Sequence, residues 1–131
     1  MTMSKRTALQ RRIAIGDIHG RSKLLIELVE DVIRFNPNED ELIFLGDYIN
    51  AGPDSKGVID YLARLKNDCA ESVILLKGNA EYDAHFMLNS EDGADWQRWG
   101  DHGAAGTVAS FGSIEAARKA LLPFISIMHL L

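Results

Sequence analysis

Three short apolar runs, Ile13-Ala14-Ile15, Leu42-Ile43-Phe44-Leu45 and Val73-Ile74-Leu75-Leu76, each lead into a glycine followed by an aspartate or asparagine: Gly16-Asp17, Gly46-Asp47 and Gly78-Asn79. Brief apolar runs bounded by turn residues predict buried strands. Between the first two, Leu24, Leu25, Leu28, Val29, Val32 and Ile33 recur at helical spacing, which predicts a helix from about Arg21 to Phe35, stopped by Asn36-Pro37-Asn38. After the Gly52-Pro53 turn, Val58, Ile59, Leu62 and Leu65 predict a second helix to about Asn67. Strands apolar on both faces and alternating with helices form right-handed βαβ units in a parallel sheet, so the fold class is α/β. In such a sheet the carboxyl ends of the strands share one edge, and ligands bind there.

Beyond Ala80 the pattern is helix and loop only. Tyr82 to Leu88 reads as helical, and Trp96 and Trp99 share a helical face better suited to core or rim packing than to base stacking. A last helix from Ile114 runs through Ala117, Leu121 and Leu122, with Pro123 expected to bend or end it. The closing segment Phe124 to Leu131 is so apolar that it reads as an interrupted domain.

The 131 residues, 47% hydrophobic and 25% charged, fit one soluble domain. A formal net charge of -5 argues against a nucleic-acid footprint and obliges any anionic substrate to find local positive charge. The single cysteine, Cys69, cannot form an internal disulfide, which suits a reducing cytoplasm, and no base stands beside it to make it a nucleophile. No run approaches the ~20 apolar residues of a membrane span. Residues 1–12, with Lys5, Arg6, Arg11 and Arg12, read as a polar basic leader, and residues 13–131 as the domain.

Asp17 and His19 lie two apart, so in an extended segment both side chains leave on the same face. With Asp47 and Asn79 on the other strand ends, the edge gathers three oxygen donors and one nitrogen donor, a set suited to a divalent transition metal. A carboxylate in the middle motif, Asp47, is placed to bridge two cations.

At this point the sequence resembles a family. Gly16-Asp17-Ile18-His19-Gly20, Gly46-Asp47-Tyr48-Ile49-Asn50-Ala51-Gly52-Pro53 and Gly78-Asn79-Ala80-Glu81 resemble the signature blocks of calcineurin-like metallophosphoesterases, in particular the bacterial serine/threonine protein phosphatases. The resemblance runs from about Ile13 to Gly112. It implies a β-sandwich flanked by helices, of which this chain carries the N-terminal half, and a dinuclear centre holding manganese, iron or zinc. Asp17 and His19 would bind the first metal, Asp47 would bridge, and Asn79 would bind the second. The implied substrate is a phosphorylated protein or a small phosphoester, hydrolysed without a covalent enzyme intermediate.

The departures fall on catalytic positions. Ala80 stands where the family has a histidine, the general acid, and Asn50-Ala51 where it has Asp-Arg, which orient that histidine and clamp the phosphate. Losing a general acid costs ~10²–10⁴-fold, so turnover is expected to be impaired. The family's further histidine ligands come from a later half; His85, His102 and His129 do not match those motifs, so the second metal should bind weakly. The alternatives are a non-catalytic metal- or partner-binding module and a diadenosine-tetraphosphatase-like hydrolase, a branch in which asparagine occurs at position 50. Tyr48 and Glu81 favour the protein-phosphatase branch. A sheet face left open without the later half would be apolar and prone to self-association as a homo-oligomer.

Overall fold

The computed structural model describes residues 9–130. Its sheet holds β1 (Arg11–Ile15), β2 (Asp40–Phe44) and β3 (Val73–Leu75), all parallel in the order β1-β2-β3. Ile13 lies opposite Leu42 and Leu42 opposite Val73. The intervening helices are α1 (Ser22–Glu27), extended by a π-helical turn over Leu28–Ile33, and α2 (Ser55–Asp68). Successive right-handed crossovers in one direction put both helices on the same side of the sheet.

That topology explains the burial. Ile15, Leu42, Phe44, Val73 and Leu75 face the helices and are buried, Leu42 and Phe44 completely. The alternate residues point the other way: Ala14 is exposed, Ile43 and Ile74 are half-buried, and Arg12 pairs with Glu41 at 3.3 Å. The strands are therefore packed on one face, not both as their apolar runs suggest, and the open face carries an apolar middle with a charged end. Arg11 and Arg12 belong to β1 rather than to a leader: Arg11 grips the buried Asp40 with Nε at 2.9 Å and Nη2 at 2.7 Å. Lys5 and Arg6 lie outside the described residues.

The helix read over Arg21 to Phe35 changes form midway. The π-helical turn re-phases the chain so that Val29 is buried while Val32 is left exposed. Arg34 then takes the left-handed conformation and the Phe35 N–H donates to the Val29 carbonyl at 3.1 Å, a closing turn of the Schellman type. At the start of α2, Asp54 accepts from the Gly57 N–H at 2.9 Å and from the Ser22 hydroxyl at 2.6 Å. Both bonds, the Ser22 one foremost, hold its carboxyl below the usual carboxylate range.

Four further helices follow, α3 (Asn79–Asn89), α4 (Gly93–Trp99), α5 (Ala105–Phe111) and α6 (Ile114–Ser126), with a kinked turn over Gly100–Ala104. α6 packs on α3 and α5, and α5 packs on α2. Trp99 is buried, and the Trp96 indole donates to the Met87 carbonyl at 3.0 Å beneath the Arg118 guanidinium, so both tryptophans serve packing. Pro123 does not end α6, which continues to Ser126. The bond it forfeits is to the carbonyl of Lys119, an exposed residue. The chain then returns to the sheet: the His129 N–H donates to Leu75 at 2.9 Å and the Lys77 N–H to His129 at 2.7 Å.

Two measurements check this arrangement. Phe44→Ala, on the packed face, should lose about 3–5 kcal/mol in denaturant unfolding, and Ile74→Ala, on the open face, clearly less. Asp54→Ala should lose about 1 kcal/mol at neutral pH. Because folding lowers the Asp54 pKa, its contribution is fully present above the unfolded value and disappears as pH falls through the depressed one, so the gap between wild type and Asp54→Ala should close in acid.

Candidate metal centre

The loops after β1 and β2 cross at a separation that only glycine tolerates. A Cβ on Gly52 would sit 1.7 Å from the His19 carbonyl oxygen. The loops after β2 and β3 meet as closely, since a Cβ on Gly78 would stand 2.4 Å from the Asp47 amide nitrogen. The motif glycines thus let three strand ends collapse onto one point.

At that point Asp17, His19 and Asp47 each offer a ligand atom within 4.8 Å of the other two. Asp17 and His19 meet, Nε2 to Oδ2 at 3.6 Å, but not by sharing a strand face: β1 ends at Ile15 and His19 lies in a turn with φ of 43°. The tautomer of His19 is set by its other nitrogen. Nδ1 lies 2.8 Å from the Ile49 carbonyl oxygen, which can only accept, so Nδ1 carries a proton and the neutral ring turns its Nε2 lone pair toward Asp17. Two carboxylates and one unprotonated imidazole nitrogen form a donor set that fits a divalent transition metal.

Asp47 is held from three directions. Its backbone is left-handed, φ 58°; its Oδ1 accepts from the Ala80 N–H at 2.9 Å; and its own N–H donates to Glu81 Oε1 at 2.6 Å. Glu81 is fully buried and also accepts from Tyr48 N–H at 2.8 Å and Gly78 N–H at 3.0 Å. Burial raises its pKa, and the three backbone donors oppose that rise. Tyr48 is buried with it, its hydroxyl donating to the Leu76 carbonyl at 2.6 Å, and burial drives its pKa up. Glu81 was visible in sequence only as a motif letter. Its position three residues into α3 after Gly78 is the spacing of a capping box, the one signal that could have disclosed its role.

The remaining positions divide. Asn79 is exposed and opens α3, next to the residue whose N–H holds Asp47. Ala80 is buried and points no functional group into the site. Asn50 and Ala51 are both left-handed, φ 72° and 66°. The Asn50 N–H and side-chain oxygen both bond the buried Thr107 hydroxyl at 2.8 Å, and the Ala51 N–H donates to Gly103 at 3.1 Å. Neither Thr107 nor Gly103 was identified from sequence, because α5 reaches this loop only through tertiary packing. His85, His102 and His129 join no cluster of potential ligands among the described residues. Cys69 is half-buried and desolvation raises its thiol pKa, in keeping with a structural residue.

The family model for calcineurin-like phosphoesterases matches residues 11–122. The chain belongs to this family. It is 35% identical over 85 residues to a symmetrical bis(5'-nucleosyl)-tetraphosphatase of Nitrosospira multiformis, covering 65% of this chain and 28% of that protein. It is 33% identical over 86 residues to a zinc-dependent endopolyphosphatase of Saccharomyces cerevisiae, 66% of this chain and 25% of the relative. A PP2A-like serine/threonine-protein phosphatase of Candida albicans is 39% identical over 75 residues, 56% and 18%. The chain thus spans about a quarter of the length of the curated relatives it matches. Among solved structures, a candidate diadenosine tetraphosphatase superposes with a TM-score of 0.58 at 20% identity, over 94% of this chain and 47% of that one. A cold-active protein tyrosine phosphatase mutant does so at 0.56 and 15%, over 99% and 44%. These two likenesses concern the fold.

The left-handed backbone at position 51 gives a direct check. A non-glycine residue there costs about 1 kcal/mol, so Ala51→Gly should raise stability by about 0.5–1 kcal/mol in thermal unfolding.

Proposed function

We propose that the chain is a metal-binding phosphoester-hydrolase domain that retains its metal-holding side chains and has lost most of its turnover. The observation that carries this is the convergence of Asp17, Asp47 and the His19 Nε2 lone pair, with Nδ1 committed to Ile49. A metal bound there would supply Lewis-acid polarisation of a phosphoryl oxygen and activation of water. Manganese is the favoured ion, with iron or zinc admissible to the same donors. Asp17 and His19 would hold a first ion together with Asp47, and a second ion would have Asp47 and Asn79 as its ligands among the described residues.

The chain's own residues define what is retained and what is lost. Asp47 is locked in place by Ala80 N–H and Glu81, so it needs no rearrangement to act as a ligand. Ala80 has no proton to deliver to a leaving alkoxide, and Ala51 offers no guanidinium to a phosphate. Asn50 is committed to Thr107 and carries no charge. The substrate class is a phosphorylated protein or a small phosphoester, with dinucleoside polyphosphates included by the likeness to the tetraphosphatases. No helix among the described residues is long and apolar enough to cross a membrane. We place the protein in the cytoplasm, without nucleic-acid or membrane partners, and with its open sheet face, around Ala14, Ile43 and Ile74, available for self-association.

Metal analysis after exposure to manganese should find about one ion per chain, and Asp47→Ala should abolish it; no bound metal in wild type would overturn the reading. Activity is tested on an aryl phosphate with manganese, comparing the chain as written with Asn50→Asp, Ala51→Arg and Ala80→His combined. The unaltered chain should fall well below enzyme-like rates of ~1–10³ s⁻¹, and the combined variant should exceed it.

A further inference from the structure

The second loop offers no cation to a phosphate, and the chain's net charge of -5 repels anions at long range. A binder of phosphoryl groups needs positive charge from somewhere close to the metal triad. Two recesses beside the triad meet at one residue that supplies it. The smaller, about 140 Å³, has a mostly apolar wall of isoleucine and leucine side chains, in which Asp17 and Arg21 are the charged residues. The larger, about 350 Å³, is walled by Gly20, Arg21, Lys23, Pro53 and Asp54. Arg21 and Leu24 line both, so the two spaces adjoin.

The larger recess lies at the crossing of the first two loops, where the Asp54 N–H donates to the Gly20 carbonyl at 2.9 Å. Arg21 and Lys23 are exposed, and neither enters an ion pair among the described residues. The one anion in the wall, Asp54, is turned to internal partners, its oxygens accepting from Ser22 and Gly57. The recess therefore presents Arg21 with no ion-pair partner among the described residues, and Lys23 close enough to feel the Asp54 carboxylate, whose hydrogen bonds go to Ser22 and Gly57. Its volume is at the lower end of ligand pockets, enough for a short phosphate chain and too small for a folded peptide.

We propose that Arg21 and Lys23 form a phosphoryl subsite beside the metal triad, which accepts the next phosphoryl groups of a polyphosphate-type substrate. Arg21, shared by both recesses, contacts the phosphoryl group nearest the triad and the one after it. Its fork of donors does from the first loop what Ala51 cannot do from the second. Lys23 meets only the more distant group. The subsite rests on the proposed function for its substrate class: among phosphoesters it selects linear phosphate chains, as in dinucleoside polyphosphates, over monoesters.

The test titrates metal-free protein calorimetrically with tripolyphosphate and, separately, with orthophosphate, at low ionic strength; the same preparations are titrated with manganese. Tripolyphosphate should bind at least about ten-fold more tightly than orthophosphate, because two cations act on one ligand. Arg21→Met should weaken tripolyphosphate binding about ten-fold, Lys23→Met should weaken it less, and Arg21→Lys should fall between Arg21→Met and wild type. Orthophosphate binding should respond to Arg21→Met and ignore Lys23→Met. Both sites are exposed, and unchanged thermal unfolding of the variants verifies that the fold is intact. Tripolyphosphate binding equal in wild type, Arg21→Met and Lys23→Met overturns the subsite, whatever the manganese result. Manganese failing to bind while Arg21→Met still weakens tripolyphosphate binding overturns the metal reading and supports the subsite.

Discussion

One buried carboxylate organises the metal-side edge of this fold. Glu81 accepts backbone N–H groups from Gly78, Asp47 and Tyr48, and so ties the loop after β2 to the loop after β3. Removing a carboxylate from water is costly, and the cost is visible in the upward pressure on its pKa. Three short backbone bonds offset it. They also satisfy amides that a left-handed turn at Asp47 would otherwise leave without partners. The ligand geometry is thus a property of the backbone, and the side chain of Asp47 inherits its direction from a residue far along the chain.

The parallel sheet was legible because strand-end glycines and helical periodicity are local signals. Asp17, His19 and Asp47 were legible for the same reason, and the structure brings all three together. One-sided burial was not legible: Ile43 and Ile74 look like core residues in sequence, and only the crossover geometry decides which face is packed. The proline in α6 was legible as a bend or an end, and the helix runs past it to Ser126. The local rule for helix termination is overridden where its cost falls on the carbonyl of exposed Lys119 and Phe124 and Ile125 gain burial. The contact of Asn50 with Thr107 spans 57 residues, a separation at which no periodicity carries information.

The same contact changes how the departures at positions 50 and 51 are understood. Asn50 is bound by its backbone and its side chain to one hydroxyl, and Ala51 is bonded to the kinked turn before α5. The loop is fastened to the helical segment through both residues. On the proposed reading, holding a ligand and using it are separable within one loop. The first depends on backbone conformation, and the second on side-chain identity at positions that the backbone does not require.

The return of the chain to β3 has a consequence for association in solution. The outer edge of a parallel sheet is a template for another strand, and here the β3 edge is occupied by the two backbone bonds of His129. At the β1 edge Arg11 and Arg12 reach the other way, to Asp40 and Glu41 of β2. Strand addition is thus discouraged at the end of the β3 edge that His129 occupies.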